Sequence, residues 1–140
     1  MKIEFFSDNI SFNLKGKVKV KKWISQVCKS ENMSISQLNF VFCSDDYLLE
    51  INRKYLQHDY YTDIITFPYK EERTISGDVF ISIERVKENA IKLGNAFEKE
   101  LHRVIIHGVL HLLGYDDHSE ALQRAMRAKE NACLVLLDEL

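Results

Sequence analysis

The segment that most constrains the fold is the apolar run from Phe97 to Leu113, which ends at Gly114 and carries His107 and His111. Its apolar residues recur at helical spacing, and glycine directly after such a run is a common helix C-terminus. Four residues along an α-helix rise about 6 Å and turn about 40° beyond one full turn, so both imidazoles project from one face. The segment predicts a long buried helix that presents two histidines side by side.

Two histidines at this spacing are a pattern with which helices bind one divalent metal ion. His102 lies about 140° away around the same helix, so we expect it outside the site. Asp117 and His118 follow Gly114 within a few residues and offer a third ligand, since zinc accepts both carboxylate and imidazole. On spacing and ligand chemistry alone, the chain is expected to be a metal-dependent hydrolase.

A metallopeptidase is the less favoured reading of the same motif. The HExxH peptidase motif places a glutamate after its first histidine as general base, and here that position is Gly108. The longer metzincin spacing is partly met, because Gly114 falls in place and Asp117 stands in the third-ligand position. A peptidase is therefore kept as a distant alternative.

Hydrophobic periodicity and turn signals predict nine elements. They are strands at 2–6, 38–43, 63–68 and 75–83, and helices at 15–30, 47–55, 84–93, 97–113 and from 120 onward. The order predicts an α+β fold with a mixed sheet of about four strands covered by helices. The metal site would lie at the end of the long helix near the C-terminus.

Composition limits the classes of protein to which the chain can belong. Its 140 residues predict a single domain spanning 1–140, and a net charge of −2 excludes nucleic-acid binding by bulk positive charge. Three widely spaced cysteines without a CxxC pair predict buried, reduced thiols. Apolar runs stay short of the roughly 18 residues that a membrane helix needs, and acids at the N-terminus argue against a signal peptide. We expect a soluble, cytoplasmic protein.

One helix face is locally basic. It carries Lys15, Lys17, Lys19, Lys21, Lys22 and Lys29. Lysine runs on helices are usually solvated surfaces, and that is the favoured interpretation. A face that contacts the phosphates of RNA is the alternative.

The chain resembles a known family on three segments. His107-Gly-Val-Leu-His-Leu-Leu-Gly-Tyr-Asp116 matches the motif His-Gly-x-Leu-His-Leu-x-Gly-Tyr-Asp of the YbeY family of rRNA-maturation endoribonucleases. Leu49 to Tyr55 with Thr62 to Pro68, and Gly77 to Ile81, are similar to two further segments of that family in the same order. Together they span about half of the chain.

The resemblance implies a single-strand-specific, zinc-dependent endoribonuclease of small-subunit rRNA 3′-end maturation and ribosome quality control. Its partners would be ribosomal RNA and the small ribosomal subunit. Ribosome-associated proteins are further candidate partners, and no association with a membrane is expected. The family's third histidine falls at Asp117, with His118 displaced by one. We favour His118 as the third ligand beside His107 and His111, because a loop beyond a helix end absorbs an extra residue easily. The family's functional arginine is carried to Arg53.

A ribosome-assembly binding module with a purely structural metal is the alternative of a different class. Structural zinc normally has four protein ligands, and the sequence clusters few candidates. That count favours an open, reactive site.

Overall fold

The computed structural model describes residues 2–69 and 72–140, which form four strands and five helices. In chain order they are β1 (Lys2–Ser7), α1 (Lys17–Ser30), β2 (Ser34–Cys43), α2 (Asp45–Leu56), β3 (Ile64–Pro68), β4 (Thr74–Ser82), α3 (Ile83–Leu93), α4 (Phe97–Leu112) and α5 (Glu120–Asp138). The predicted element order and α+β class are confirmed.

The sheet has the strand order β1-β2-β4-β3. β1 and β4 each run parallel to β2, whereas β3 runs antiparallel to β4, which confirms the predicted mixed sheet. β2 begins at Ser34, four residues before the predicted start at position 38, because its first residues pair with Thr74 and Ile75 across a register irregularity. That pairing is a long-range contact, which periodicity within β2 does not encode.

Serine side chains fix the starts of three helices. The hydroxyls of Ser44, Ser82 and Ser119 accept the backbone N–H three residues ahead, at the first turns of α2, α3 and α5. Such N-caps satisfy donors that have no partner inside the helix. Ser119 thereby sets where α5 begins after the loop that follows α4.

Helix α4 lies close against the sheet through Gly108. A Cβ atom built there would lie 2.9 Å from Ile64 Cδ1 and 3.1 Å from Val79 Cγ1, so any larger residue would displace its neighbours. The glycine that excludes the HExxH motif thus allows the helix to approach β3 and β4. Gly108 follows His107 directly, so this contact also sets the position of the first candidate ligand.

Helix α5 packs on both α1 and α4. Trp23 of α1 is fully buried and donates its indole N–H to the carbonyl oxygen of Cys133 at 2.7 Å. Met126, Cys133 and Leu137 place the apolar face of α5 in the core. As a result, α5 forms a second wall beside the histidine face of α4. Among the described helices, none is long and apolar enough to cross a membrane.

Candidate metal centre

Three side-chain atoms converge where α4 ends. The Nε2 atoms of His107 and His111 are 3.0 Å apart, and Oδ2 of Asp117 lies 3.5 Å from each of them. Zinc binds imidazole nitrogen and carboxylate oxygen at about 2 Å, so one ion can contact all three atoms. The three side chains are between 23% and 35% exposed, which leaves the group open to solvent on one side.

The loop after α4 determines which residue faces the histidines. Gly114 has a φ of 105°, a left-handed value that favours glycine, and it turns the chain back from the helix axis. Asp116 Oδ1 then accepts the N–H groups of Asp117 and His118 at 2.6 and 3.1 Å. This turn directs the Asp117 carboxylate toward the two imidazoles.

His118 lies outside this group. Its ring Nδ1 is 2.8 Å from Asp116 Oδ1, and its side chain is 79% exposed. The sequence-based preference for His118 as third ligand therefore differs from the arrangement in the structure, where Asp117 stands beside His107 and His111. The physical reason is the Asp116 turn, which needs no bulge and leaves His118 pointing to solvent.

Glu130 of α5 orients the first histidine. Its Oε2 atom is 2.6 Å from His107 Nδ1, and its Oε1 atom accepts from Arg103 Nη1 at 3.0 Å. We assign the Nδ1 proton to this hydrogen bond, which leaves Nε2 free to bind a metal ion. The Glu130 side chain is 5% exposed, so solvent screens its charge only weakly from the adjacent His107 ring.

The electrostatics of this pair follow from burial and mutual contact. Burial alone would lower the pKa of His107, but the hydrogen bond and charge of Glu130, with the charges of Asp117 and Asp63, raise it overall. Burial alone would raise the pKa of Glu130, but its hydrogen bonds to His107 and Arg103 lower it overall. Glu130 is therefore held as a carboxylate behind the imidazole.

A cleft of about 310 Å³ opens beside the three converging atoms. Burial raises the pKa of the Asp63 carboxyl at its edge, partly offset by the charge of His107. The lining comes from α4, α5, the start of β3 and two loops: Asp63, Ile64, Glu100, Arg103, Val104, His107, Asp117, Gln123, Met126, Arg127 and Glu130. An acidic and basic cleft of this size next to a candidate metal site suits a charged substrate.

Arg53, the arginine carried over from the resemblance, lies elsewhere. It belongs to α2, its side chain is 55% exposed, and its Nε atom pairs with Asp59 Oδ1 at 2.5 Å. It is not among the residues that line the cleft. Its catalytic role stays a prediction.

The remaining histidines and the lysine face also lie apart from the centre. His102 packs edge-on against Trp23 with ring centroids 6.0 Å apart, in keeping with its expected rotation away from the site. His58 stacks on Tyr60 in the loop before β3. Lys15, Lys17, Lys19, Lys22 and Lys29 are exposed and Lys21 is half-buried, so that face is open to solvent, and its contact with RNA stays a prediction.

Sequence reasoning missed Glu130 and Arg103. Glu130 comes 23 residues after His107 and meets it only through the packing of α5 on α4. One signal could have found it, because Glu130 falls at helical spacing between Met126 and Cys133 on the buried face of α5. An acid on an apolar helix face requires a partner in the core.

Comparison with known proteins gives consistent relatives. The family model described as Endoribonuclease YbeY matches residues 2–138. Proteins named Endoribonuclease YbeY from Cytophaga hutchinsonii and Flavobacterium psychrophilum are 48% and 49% identical over 135 and 131 residues, covering 96% and 94% of this chain and 94% of each relative. The solution structure of TM1509 from Thermotoga maritima superposes with a TM-score of 0.69 at 30% identity, covering 96% of this chain and 88% of that one. With nearly its full length matched by one family, including the helix that carries His107 and His111, the chain belongs to the endoribonuclease YbeY family.

Proposed function

We propose that residues 1–140 form one metal-dependent endoribonuclease domain that hydrolyses phosphodiesters of single-stranded RNA. The observation that carries the proposal is the convergence of His107 Nε2, His111 Nε2 and Asp117 Oδ2 at an open cleft. The description of its relatives as endoribonucleases supports RNA as the substrate. From the resemblance, the RNA is the 3′ end of small-subunit rRNA, handled in the cytoplasm with the small ribosomal subunit, in maturation and in quality control.

One zinc ion would be held by His107, His111 and a third ligand, for which Asp117 is the first candidate, since its carboxylate lies 3.5 Å from both imidazole nitrogens, and His118 is the alternative. This donor set fits zinc, and three protein ligands leave a coordination position for water or substrate. The chemistry that the metal supplies is Lewis acidity toward water and a phosphate oxygen.

The chain's own residues hold the site in working order. Glu130 keeps the His107 proton on Nδ1, and Arg103 keeps Glu130 ionised. The wall formed by α5 shields this pair from solvent, which strengthens both contacts. Arg53 would neutralise charge that builds on the phosphate, a role suited to a planar, always-charged group.

Metal removal tests the proposal directly. Purified protein treated with a chelator should lose cleavage of a labelled single-stranded rRNA fragment, and added zinc should restore it. His111→Ala should abolish both metal binding and cleavage, whereas His58→Ala, in an exposed loop, should retain them. Equal cleavage by the metal-free and zinc-loaded proteins would contradict a metal-dependent nuclease.

Two other outcomes would point to the competing functions. Zinc-loaded protein that binds rRNA and cleaves none would favour the ribosome-assembly binding module. Cleavage of casein without cleavage of RNA would favour the peptidase. Cells that carry the His111→Ala variant should accumulate small-subunit rRNA with an unprocessed 3′ end. A normal rRNA profile in those cells would exclude small-subunit rRNA as the substrate.

Arg53→Glu separates the catalytic arginine from the metal centre. We expect the variant to lose cleavage with its zinc content unchanged, because Arg53 lies outside the group of converging ligands. Unimpaired cleavage by this variant would exclude the role.

A further inference from the structure

The wall of the cleft contains two guanidinium groups, those of Arg103 and Arg127. Arg103 is committed to the protein, since it donates to Glu130 Oε1 at 3.0 Å and to Asn131 Oδ1 at 2.8 Å. Its side chain is only 11% exposed. A ligand that drew Arg103 away would leave the buried Glu130 carboxylate short of a partner, which is costly. Arg103 therefore has a structural role and is not available to a ligand.

Arg127 has a different environment. Its side chain is 52% exposed, and its Nη1 atom lies 3.7 Å from Glu130 Oε1, longer than a hydrogen bond. That oxygen already accepts from Arg103. Among the residues that the structure describes, this ion pair is the one polar contact of the Arg127 side chain. Its N–H donors are thus available to a ligand in the cleft.

The charge balance of the cleft indicates which ligand Arg127 suits. Asp63, Glu100, Asp117 and Glu130 line the same space, so an anion that enters it meets four carboxyl groups. A phosphodiester needs compensating positive charge there, in addition to that of a metal ion. A guanidinium provides a permanent charge and two parallel donors, which match two oxygens of one phosphate.

We propose that Arg127 binds a backbone phosphate of the RNA strand that occupies the cleft, an inference that rests on the proposed function. The strand would then lie between α4 and α5, held at the metal centre on one side and at Arg127 on the other. Arg53 on α2 lies outside this cleft, so the two arginines act on different parts of the complex.

The test compares Arg127→Gln with Arg124→Gln in the zinc-loaded protein. Arg124 is exposed on the same helix, one turn earlier, and lies outside the cleft lining. Arg124→Gln therefore removes the same charge from a different place on the helix. The probe is labelled single-stranded 2′-O-methyl RNA, followed by fluorescence anisotropy over a range of salt concentrations, with its integrity checked on a gel. Zinc content and thermal unfolding establish that each variant retains its site and fold.

We expect Arg127→Gln to bind the probe about tenfold more weakly, and its plot of log K against log salt to be shallower by about 0.7. Arg127→Lys should keep the salt slope while losing part of the affinity, because lysine keeps the charge without the planar fork. Arg124→Gln should match the wild type. Equal affinity and slope in Arg127→Gln and Arg124→Gln would overturn the proposal.

Failure of this inference and failure of the proposed function give different results. If the wild-type protein cleaves rRNA and Arg127→Gln binds the probe normally, only the proposed phosphate contact of Arg127 is excluded. If the wild-type protein binds the probe through Arg127 but cleaves no RNA, the proposed nuclease activity is excluded and the phosphate contact stands.

Discussion

The two ring nitrogens of His107 have different neighbours. Nδ1 faces Glu130 at 2.6 Å, while Nε2 faces His111 at 3.0 Å. A carboxylate behind a ligand imidazole fixes its tautomer and increases its basicity. Glu130→Gln keeps an acceptor but removes the charge, so we expect zinc affinity to fall about tenfold, measured by competition with a chromophoric chelator. Glu120→Gln, at the exposed start of the same helix, is the matched control, and an equal fall in both variants would contradict the role of Glu130.

The same contact predicts how zinc binding depends on pH. Glu130 and its acidic neighbours raise the pKa of His107 against the opposing effect of burial, and a metal ion binds only the neutral ring. Apparent zinc affinity should therefore decline as the pH falls through this raised pKa. In Glu130→Gln the decline should begin at a lower pH, because the proton is held less tightly. Titrations at a series of pH values check this, and identical profiles would count against it.

The third ligand is decided by two single substitutions. Asp117→Ala should lose bound zinc, because the Asp117 carboxylate lies 3.5 Å from both histidine nitrogens. His118→Ala should keep it, because that ring is 79% exposed and paired with Asp116. Zinc content after equilibrium dialysis measures both. The opposite pattern would return the third position to His118.

The pairing of β3 with β4 depends on Gly77. A Cβ atom there would lie 2.6 Å from the carbonyl oxygen of Phe67 and 3.2 Å from Pro68 Cα, and backbone atoms cannot turn aside as a side chain can. We expect Gly77→Ala to lower the free energy of unfolding by about 2 kcal/mol. Gly16→Ala, at a φ of 67° with no atom within 4 Å, should cost only about 1 kcal/mol. Denaturant unfolding followed by fluorescence of the single tryptophan measures both. An equal loss of unfolding free energy in the two variants would contradict the expected steric clash at Gly77.

Most helix and strand positions could be predicted, because they are determined by neighbouring residues. Ser44 and Ser119 begin helices, and Gly94 ends one with a φ of 69°. The early start of β2 could not be predicted, since it depends on pairing with Thr74 and Ile75, which are distant in sequence. Local patterns predict elements well, and strand pairing adds what they leave out.

The site divides in the same way. His107 and His111 could be predicted because both lie on one helix, where spacing determines direction. Glu130 could not, because its contact requires α5 to dock on α4. The choice between Asp117 and His118 depends on a single hydrogen-bonded turn at Asp116, which residue types alone do not specify.

The three cysteines report on the stability of the fold. Cys28, Cys43 and Cys133 are 1%, 0% and 4% exposed, and burial raises the pKa of Cys28 and of Cys43 to about 12. Folded protein should therefore react with iodoacetamide only by unfolding. Under the proposed function zinc would bind the folded state, so added zinc should slow the labelling, as measured by mass spectrometry. In His111→Ala zinc should have no such effect, and rapid labelling of folded wild-type protein would refute the expectation.

The docking of α5 also has a consequence for synthesis. His107 and His111 emerge from the ribosome on α4, but the residue that orients His107 follows 23 positions later. A chain that has formed α4 but not α5 therefore holds two histidines without their supporting carboxylate and without Arg127 at the cleft. The candidate centre is complete only in a chain that includes α5, so synthesis of α4 alone does not produce it.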